Sequence, residues 1–237
     1  MRLSGLVVFK NEERFFLKEC LLSMLSVCDE VVAIDTGSTD GSVRMVSDLN
    51  DGRIRLLVKD WAKPQDYSNI KNWGITQCKG EWILSMDADE VLDDAFGSLL
   101  SKLGTEGVDV WGIEGRHYIN HLAQEDSTVS PHVWARRLFR NNGRIFYSEN
   151  LMHSLPSGFQ KEGVIGFGIH HYGYVKNQCF NLWRFESNMK KLEIHTPLQM
   201  ASWFKSHVSG SYPVKPVSLS CHPGFVQKKF YFRVVGL

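Results

Sequence analysis

The chain has 237 residues, 43% of them apolar, and a formal net charge of +1 at pH 7, which suits one large domain with an ordinary core and leaves no electrostatic footprint for nucleic acid. Its five cysteines, Cys20, Cys28, Cys78, Cys179 and Cys221, are scattered, odd in number and without C-x-x-C spacing, so they read as reduced thiols and the expected location is cytoplasmic. The opening MRLSGLVVFKNEE has too short an apolar run for a signal peptide, and no run approaches the roughly 18 apolar residues of a membrane span.

The predicted elements alternate through the first hundred residues. LSGLVVF (3–9) reads as a strand. Residues 12–25 read as a helix, with Phe16, Cys20, Leu21 and Met24 at helical spacing. EVVAI (30–34) is a second strand, and TGSTDGS turns the chain into a helix through Val43, Val46 and Leu49. IRLLV (54–58) is a third strand. A helix capped by Asp66 or Ser68 runs to about Cys78, where Lys79-Gly80 signals its end. EWILSM (81–86) is a fourth strand, followed by carboxylates and a helix over about 94–103. Beyond residue 105 the pattern turns to strands at 108–119, 133–140, 145–147 and 163–170, a helix at 180–193, and a tail with three prolines and a basic, aromatic end.

Strand–helix–strand repetition predicts an α/β fold with a mostly parallel, Rossmann-like sheet flanked by helices, followed by a more variable mixed part. Ligands in such sheets bind beyond the carboxyl ends of the strands. Four polar clusters fall there: Lys10-Asn11-Glu12, Asp35-Thr36-Gly37-Ser38, Asp60-Trp61 and Asp87-Ala88-Asp89. Their convergence on one crevice is the expectation that carries the site. In DTGSTDGS (35–42), Asp35 ends a buried strand and can accept hydrogen bonds there, while Gly37 and Gly41 permit tight turns; an ordinary strand–turn–helix connection explains the same residues.

DADE (87–90) is sharper. If the segment stays extended, alternation puts Asp87 and Asp89 on one side. Carboxylates so close repel unless a cation, a proton or a donor sits among them, and a hard cation such as Mg²⁺ or Mn²⁺ takes carboxylate together with phosphate oxygens. The plainer reading, an acidic helix start, accounts for Asp93 and Asp94 better than for Asp87 and Asp89.

Taken together, FKNEE, VVAIDTGSTDGS and WILSMDADE resemble the ordered motifs of glycosyltransferase family 2, in the subgroup of lipopolysaccharide-core β-glucosyltransferases. DYSNIKNWGI resembles that subgroup's D-F-[AS]-x-x-R-N segment, with Lys71 where Arg is usual. RLFRN (137–141) with FYSENLMHS (146–154), and HHYGY (170–174), resemble two further segments, so the likeness covers roughly residues 3–190.

The resemblance implies a GT-A fold with a nucleotide-sugar-binding half at 1–104, an acceptor-side half at 105–195 and a C-terminal extension at 196–237. It implies transfer of a sugar, with inversion, from a nucleoside diphosphate donor such as a UDP-sugar to a glycan or lipid-linked acceptor. Asp35 would then read the nucleobase, and Asn11 and Glu12 would line the nucleoside pocket. Asp87 and Asp89 would serve the ribose and a Mn²⁺ or Mg²⁺ ion, with His171 completing the metal shell. Lys71 would add a point charge near the phosphates, without the bidentate geometry of Arg.

An inverting transfer needs a general base. Ser154 stands where the subgroup has Glu, so Glu149 is the candidate, with Glu114 and Asp126 as others. His153 and His171 also fit hydrogen-bonded structural roles, and His170, His207 and His222 are expected to be structural or on the surface. A zinc site from His170, His171, Cys221 and His222 would need a long-range approach. The end QKKFYFRVVGL is expected to pack on the domain, with a strand, a peripheral membrane contact or an oligomer contact as the other readings. Rival readings are a nucleotidyltransferase making nucleotide sugars, for which FKNEE lacks the glycine-rich loop, and a catalytically silent sugar- or nucleotide-binding module.

Overall fold

The computed structural model describes residues 2–60, 66–104, 107–127, 134–148, 155–175 and 214–228. Glu149, His153, Ser154, Cys179, His207, the expected helix at 180–193 and the tail from residue 229 lie outside the described residues.

Three runs that are apolar on both faces make the centre of the sheet: β1 (Leu3–Phe9), β2 (Glu30–Asp35) and, after the helices below, β4 (Trp82–Asp87). Every residue of β1 and β2 is buried, as expected for parallel strands covered on both sides. Between them α1 (Leu17–Leu25) buries Leu17, Cys20, Leu21, Met24 and Leu25, a stripe at helical spacing. Then follow α2 (Ser42–Asp48), β3 (Ile54–Val58) and α3 (Asp66–Gln77). The helix expected from residue 12 starts only at Leu17, because Asn11 takes a left-handed φ of 56° and the backbone of 11–13 bonds to the side chains of Ser38, Ser42 and Asp40 instead.

The parallel core runs β3-β2-β1-β4. Past Asp87 the chain turns through Ala88 and Asp89 into β5 (Glu90–Leu92), a strand absent from the sequence expectation. The extended alternation expected to align Asp87 with Asp89 therefore does not apply: β4 ends at Asp87 and Asp89 stands in the turn. The expected helix at 94–103 is shorter, α4 (Phe96–Leu99) followed by a 3₁₀ turn, Leu100–Lys102.

The second part adds β6 (Val110–Ile119), β7 (Gln124–Asp126), β8 (Trp134–Arg140), β9 (Phe146–Tyr147), β10 (Pro156–Ser157), β11 (Glu162–Tyr174) and β12 (Val214–Pro216). Strand β8 inserts between β4 and β6, antiparallel to both, and β11 bridges β6 and β5. Two apolar clusters cover the faces of the parallel core, one around α1, Trp82 and Phe96, the other around Ile34, Ile70, Ile83 and Tyr147. Among the described residues no helix is long and apolar enough to cross a membrane.

Candidate active site

All four parallel strands end at one edge, so their following residues meet there. At the first two, Asn11 and the 35–42 turn are laced together. The Asn11 Oδ1 accepts from the Thr39 N–H at 2.7 Å, and the Asn11 N–H donates to Ser38 Oγ at 2.9 Å. The Glu12 N–H donates to Ser42 Oγ at 2.7 Å. Asp35, 3% exposed, accepts from the Gly37 and Ser38 N–H groups at 3.1 Å each. Gly37 has a φ of +91°, which that tight turn requires and which a side chain would resist. The Lys10 ammonium and an Asp60 carboxylate oxygen each lie 3.9 Å from the point where a Gly37 Cβ would stand. The first two clusters and Asp60 of the third thus share one rim, while Trp61 lies outside the described residues.

The fourth cluster divides. Asp87, its side chain a third exposed, is held at both oxygens: Lys71 Nζ and Tyr67 Oη donate to its Oδ1 at 3.1 and 3.0 Å, and Arg137 Nη2 donates to its Oδ2. The same Arg137 nitrogen donates to Glu90 Oε1, while Glu90 Oε2 accepts the Asp87 N–H at 2.9 Å. Lys71 is buried, with its ammonium 4.7 Å from the Tyr67 ring centre and 5.0 Å from that of Tyr147. Burial alone would raise the pKa of Asp87; the Arg137 and Lys71 cations outweigh it and hold the carboxyl well below its usual range. Burial pushes Glu90 upward, against Arg137 and with the Asp87 charge. Two cations and two carboxylates compensate one another. Removing a buried member, Lys71 or Glu90, leaves its partner's charge uncompensated and costs roughly 3–5 kcal/mol.

Asp89 meets a different partner. His171 Nε2 lies 3.6 Å from Asp89 Oδ1, and the Asp89 carbonyl accepts the Tyr172 N–H at 2.8 Å. Strand geometry explains why HHYGY sorts its side chains. Alternation along β11 sends His171 and Gly173 to one face and His170 and Tyr172 to the other. Gly173 makes room on the first face, since a Cβ there would fall 2.8 Å from His171 Nε2 and 2.9 Å from Asp89 Oδ2. The parallel register His171↔His117 brings the His117 ring to 4.8 Å from that of His171. Burial, with the neighbouring His171, lowers the His117 pKa to about 4.

On the opposite face His170 and His222 are structural, as expected. His170 is fully buried, with Nδ1 against Tyr118 Oη at 2.8 Å and Nε2 against Asp93 Oδ2 at 3.0 Å. His222 is held by Tyr172 Oη at 2.9 Å and the Leu122 carbonyl at 3.0 Å. Both rings have partners at each nitrogen, and neither faces Asp89. Among the described residues no three His, Cys, Asp or Glu side chains are grouped as a metal site.

Residues 4–165 match the family model described as glycosyl transferase family 2. The chain belongs to glycosyl transferase family 2. Its family relatives include the lipopolysaccharide core biosynthesis glycosyltransferase LpsC of Rhizobium meliloti, 30% identical over 69% of this chain and 59% of that protein. The SPbeta prophage-derived glycosyltransferase SunS of Bacillus subtilis is 26% identical over 81% of this chain and 46% of its own length. The chain spans about half the length of the curated relatives it matches. Among solved structures, S. aureus TarS 1-349 superposes with a TM-score of 0.52 at 17% identity, over 72% of this chain and 60% of that one. TarS 1-349 in complex with UDP-GlcNAc gives 0.50 over 72% and 58%. The family fold is therefore the GT-A fold expected from the motifs.

In this family 2 chain, sequence reasoning missed Arg137, Glu90, Tyr67 and His117. Arg137 opens the RLFRN segment and Glu90 closes DADE, so both carried a signal without an assigned partner. Tyr67 and His117 lay inside matched or predicted elements with nothing to distinguish them.

Proposed function

We propose that the chain transfers a glycosyl group from a nucleoside diphosphate sugar, of the UDP class, to a hydroxyl of a glycan or lipid-linked acceptor, with a divalent cation bound at Asp89 and His171. The observation that carries this reading is the approach of His171 Nε2 to Asp89 at the rim where the parallel strands end, in a cradle that a Cβ at Gly173 would fill.

The donor set fits a hard cation in part. Asp89 and His171 offer oxygen and nitrogen, and the remaining positions suit phosphate oxygens and water. His171 Nδ1 is buried without a hydrogen-bond partner, so the ring lacks the outer acceptor that usually orients a metal-binding histidine. Asp87 offers less than the motif implies, because both its oxygens already accept from Lys71, Tyr67 and Arg137. Mn²⁺ or Mg²⁺ there would act as a Lewis acid toward the negative charge that grows on the departing diphosphate.

The chain's own groups supply the rest. Asp35, fixed by the 37–38 N–H groups, keeps lone pairs free to accept from a nucleobase N–H. The Asn11–Thr39 lacing holds the nucleoside side of the rim in place. Lys71 and Arg137 neutralise Asp87 and Glu90 beside the expected pyrophosphate, so the charge the motif assigns to Lys71 is spent on Asp87. The base that takes the acceptor proton is assigned to Glu149, within the acceptor-side residues 105–195. LpsC, a lipopolysaccharide core biosynthesis glycosyltransferase, supports a surface glycan as acceptor, and TarS bound to UDP-GlcNAc supports a UDP-sugar donor.

A thermal-melt screen of nucleoside diphosphates and their sugars, each with and without Mn²⁺, tests the reading. A ligand bound to the folded state alone raises the melting temperature with its concentration. UDP with Mn²⁺ should stabilise the chain more than either alone, and slow release of UDP from a UDP-sugar should separate an enzyme from a silent binding module. A chain indifferent to every nucleotide would overturn the assignment.

A further inference from the structure

The side chain that organises the DADE turn comes from another strand. The antiparallel register Leu84↔Leu138 runs β8 back along β4, so Arg137 lies beside the carboxyl end of β4, where Asp87 stands. There a single nitrogen, Arg137 Nη2, donates to Asp87 Oδ2 and to Glu90 Oε1. The Asp87 N–H donates back to Glu90 Oε2 at 2.9 Å. Asp87 and Glu90 flank Ala88 and Asp89, so this ring of contacts closes the turn at both ends. Tyr67 and Lys71 hold the other Asp87 oxygen at 3.0 and 3.1 Å.

We propose that Arg137 is a positioning residue for the donor site: by clamping Asp87 to Glu90 it sets the turn that presents Asp89 to the cation, and it keeps Asp87 out of the cation's shell. This rests on the metal-dependent reading above. Stability alone is a poor account of the arrangement. A buried ion network seldom outperforms apolar packing, and Arg137 Nε is buried without any hydrogen-bond partner, an unfavourable use of a guanidinium if packing were its purpose. Geometry is what the clamp supplies, because the two residues it leaves between its ends include Asp89.

The two accounts predict opposite signs. As a mere neighbouring charge, Arg137 repels a cation, so its loss would tighten metal binding. As a positioning residue, its loss weakens metal binding. Mn²⁺ binding to the full chain in the presence of UDP, read from the electron paramagnetic resonance of free Mn²⁺, decides between them without any turnover. Arg137→Gln should weaken Mn²⁺ binding tenfold or more. Arg137→Lys should recover most of it, since one nitrogen makes both contacts. If Arg137→Gln does not fold, Arg137→Gln with Glu90→Gln keeps the net charge of the network and should still bind Mn²⁺ more weakly than wild type. Wild-type binding retained or tightened in the folded variant overturns the clamp alone. A wild-type chain that binds no Mn²⁺ with UDP overturns the functional reading, and the clamp with it.

Discussion

His171 Nε2 stands 3.6 Å from Asp89 Oδ1 because residue 173 has no side chain. A histidine on β11 and an aspartate in the turn after β4 are far apart in sequence. The antiparallel pairing His171↔Glu90 is what brings their backbones together.

That relationship makes Gly173 a direct test. In Gly173→Ala the new Cβ would sit 2.8 Å from His171 Nε2 and 2.9 Å from Asp89 Oδ2, so one of the two must move. The expected outcome is a loss of Mn²⁺-dependent UDP affinity of about tenfold, equivalent to roughly 1.4 kcal/mol. Isothermal titration calorimetry with UDP, with and without Mn²⁺, reads it. Unchanged affinity would show that the pair does not hold the metal.

Asp89→Asn keeps the shape of the turn and removes the charge. UDP should still bind weakly without metal, and the added effect of Mn²⁺ should disappear. Thermal melts at several Mn²⁺ concentrations would show a slope in the wild type and none in the variant. A preserved slope would move the metal elsewhere.

Tyr118→Phe tests the opposite face of β11. It deprives the fully buried His170 of its Nδ1 partner at 2.8 Å. An unsatisfied buried group costs about 1–3 kcal/mol, so urea denaturation should show a lower midpoint. UDP and Mn²⁺ affinities should stay as in the wild type, because His170 does not face Asp89. A large loss of affinity would mean that the two faces are not independent.

Acid should weaken the fold through His222. Burial lowers its pKa from 6.5 to about 4, against the Leu122 carbonyl. The unfolded chain therefore takes up a proton at this histidine before the folded chain does. Its contribution to stability is complete above pH 6.5 and declines as the pH falls toward 4. Urea midpoints of the wild type and His222→Gln, measured from pH 7.5 to 4.5, should differ most at high pH and converge as the pH falls. A constant difference would contradict the titration.

The order of strands and helices through β4 was legible because each core strand is a continuous apolar run and each helix carries an apolar stripe. β1, β2 and β3 fall within a residue of their expected limits. The candidate site was legible as a list of polar residues at strand ends, and the family motifs attached roles to them. Three elements of it were not legible. β5 is only three residues long, EVL, and is a strand because β11 pairs with it. The start of α1 slipped to Leu17 because side chains of the 38–42 turn capture the backbone of residues 11–13. The separate fates of Asp87 and Asp89 depended on a turn that period-two alternation could not foresee.

Local pattern, then, was enough for the parallel core and for placing carboxylates at its rim, because strand and helix periodicities are properties of neighbouring residues. Which side chain each carboxylate meets, Arg137 at Asp87 and His171 at Asp89, was decided by β8 and β11, strands that arrive from about fifty and eighty residues later. An ion pair of that kind depends on distance in space and on burial, and neither is written in the spacing of residues along the chain.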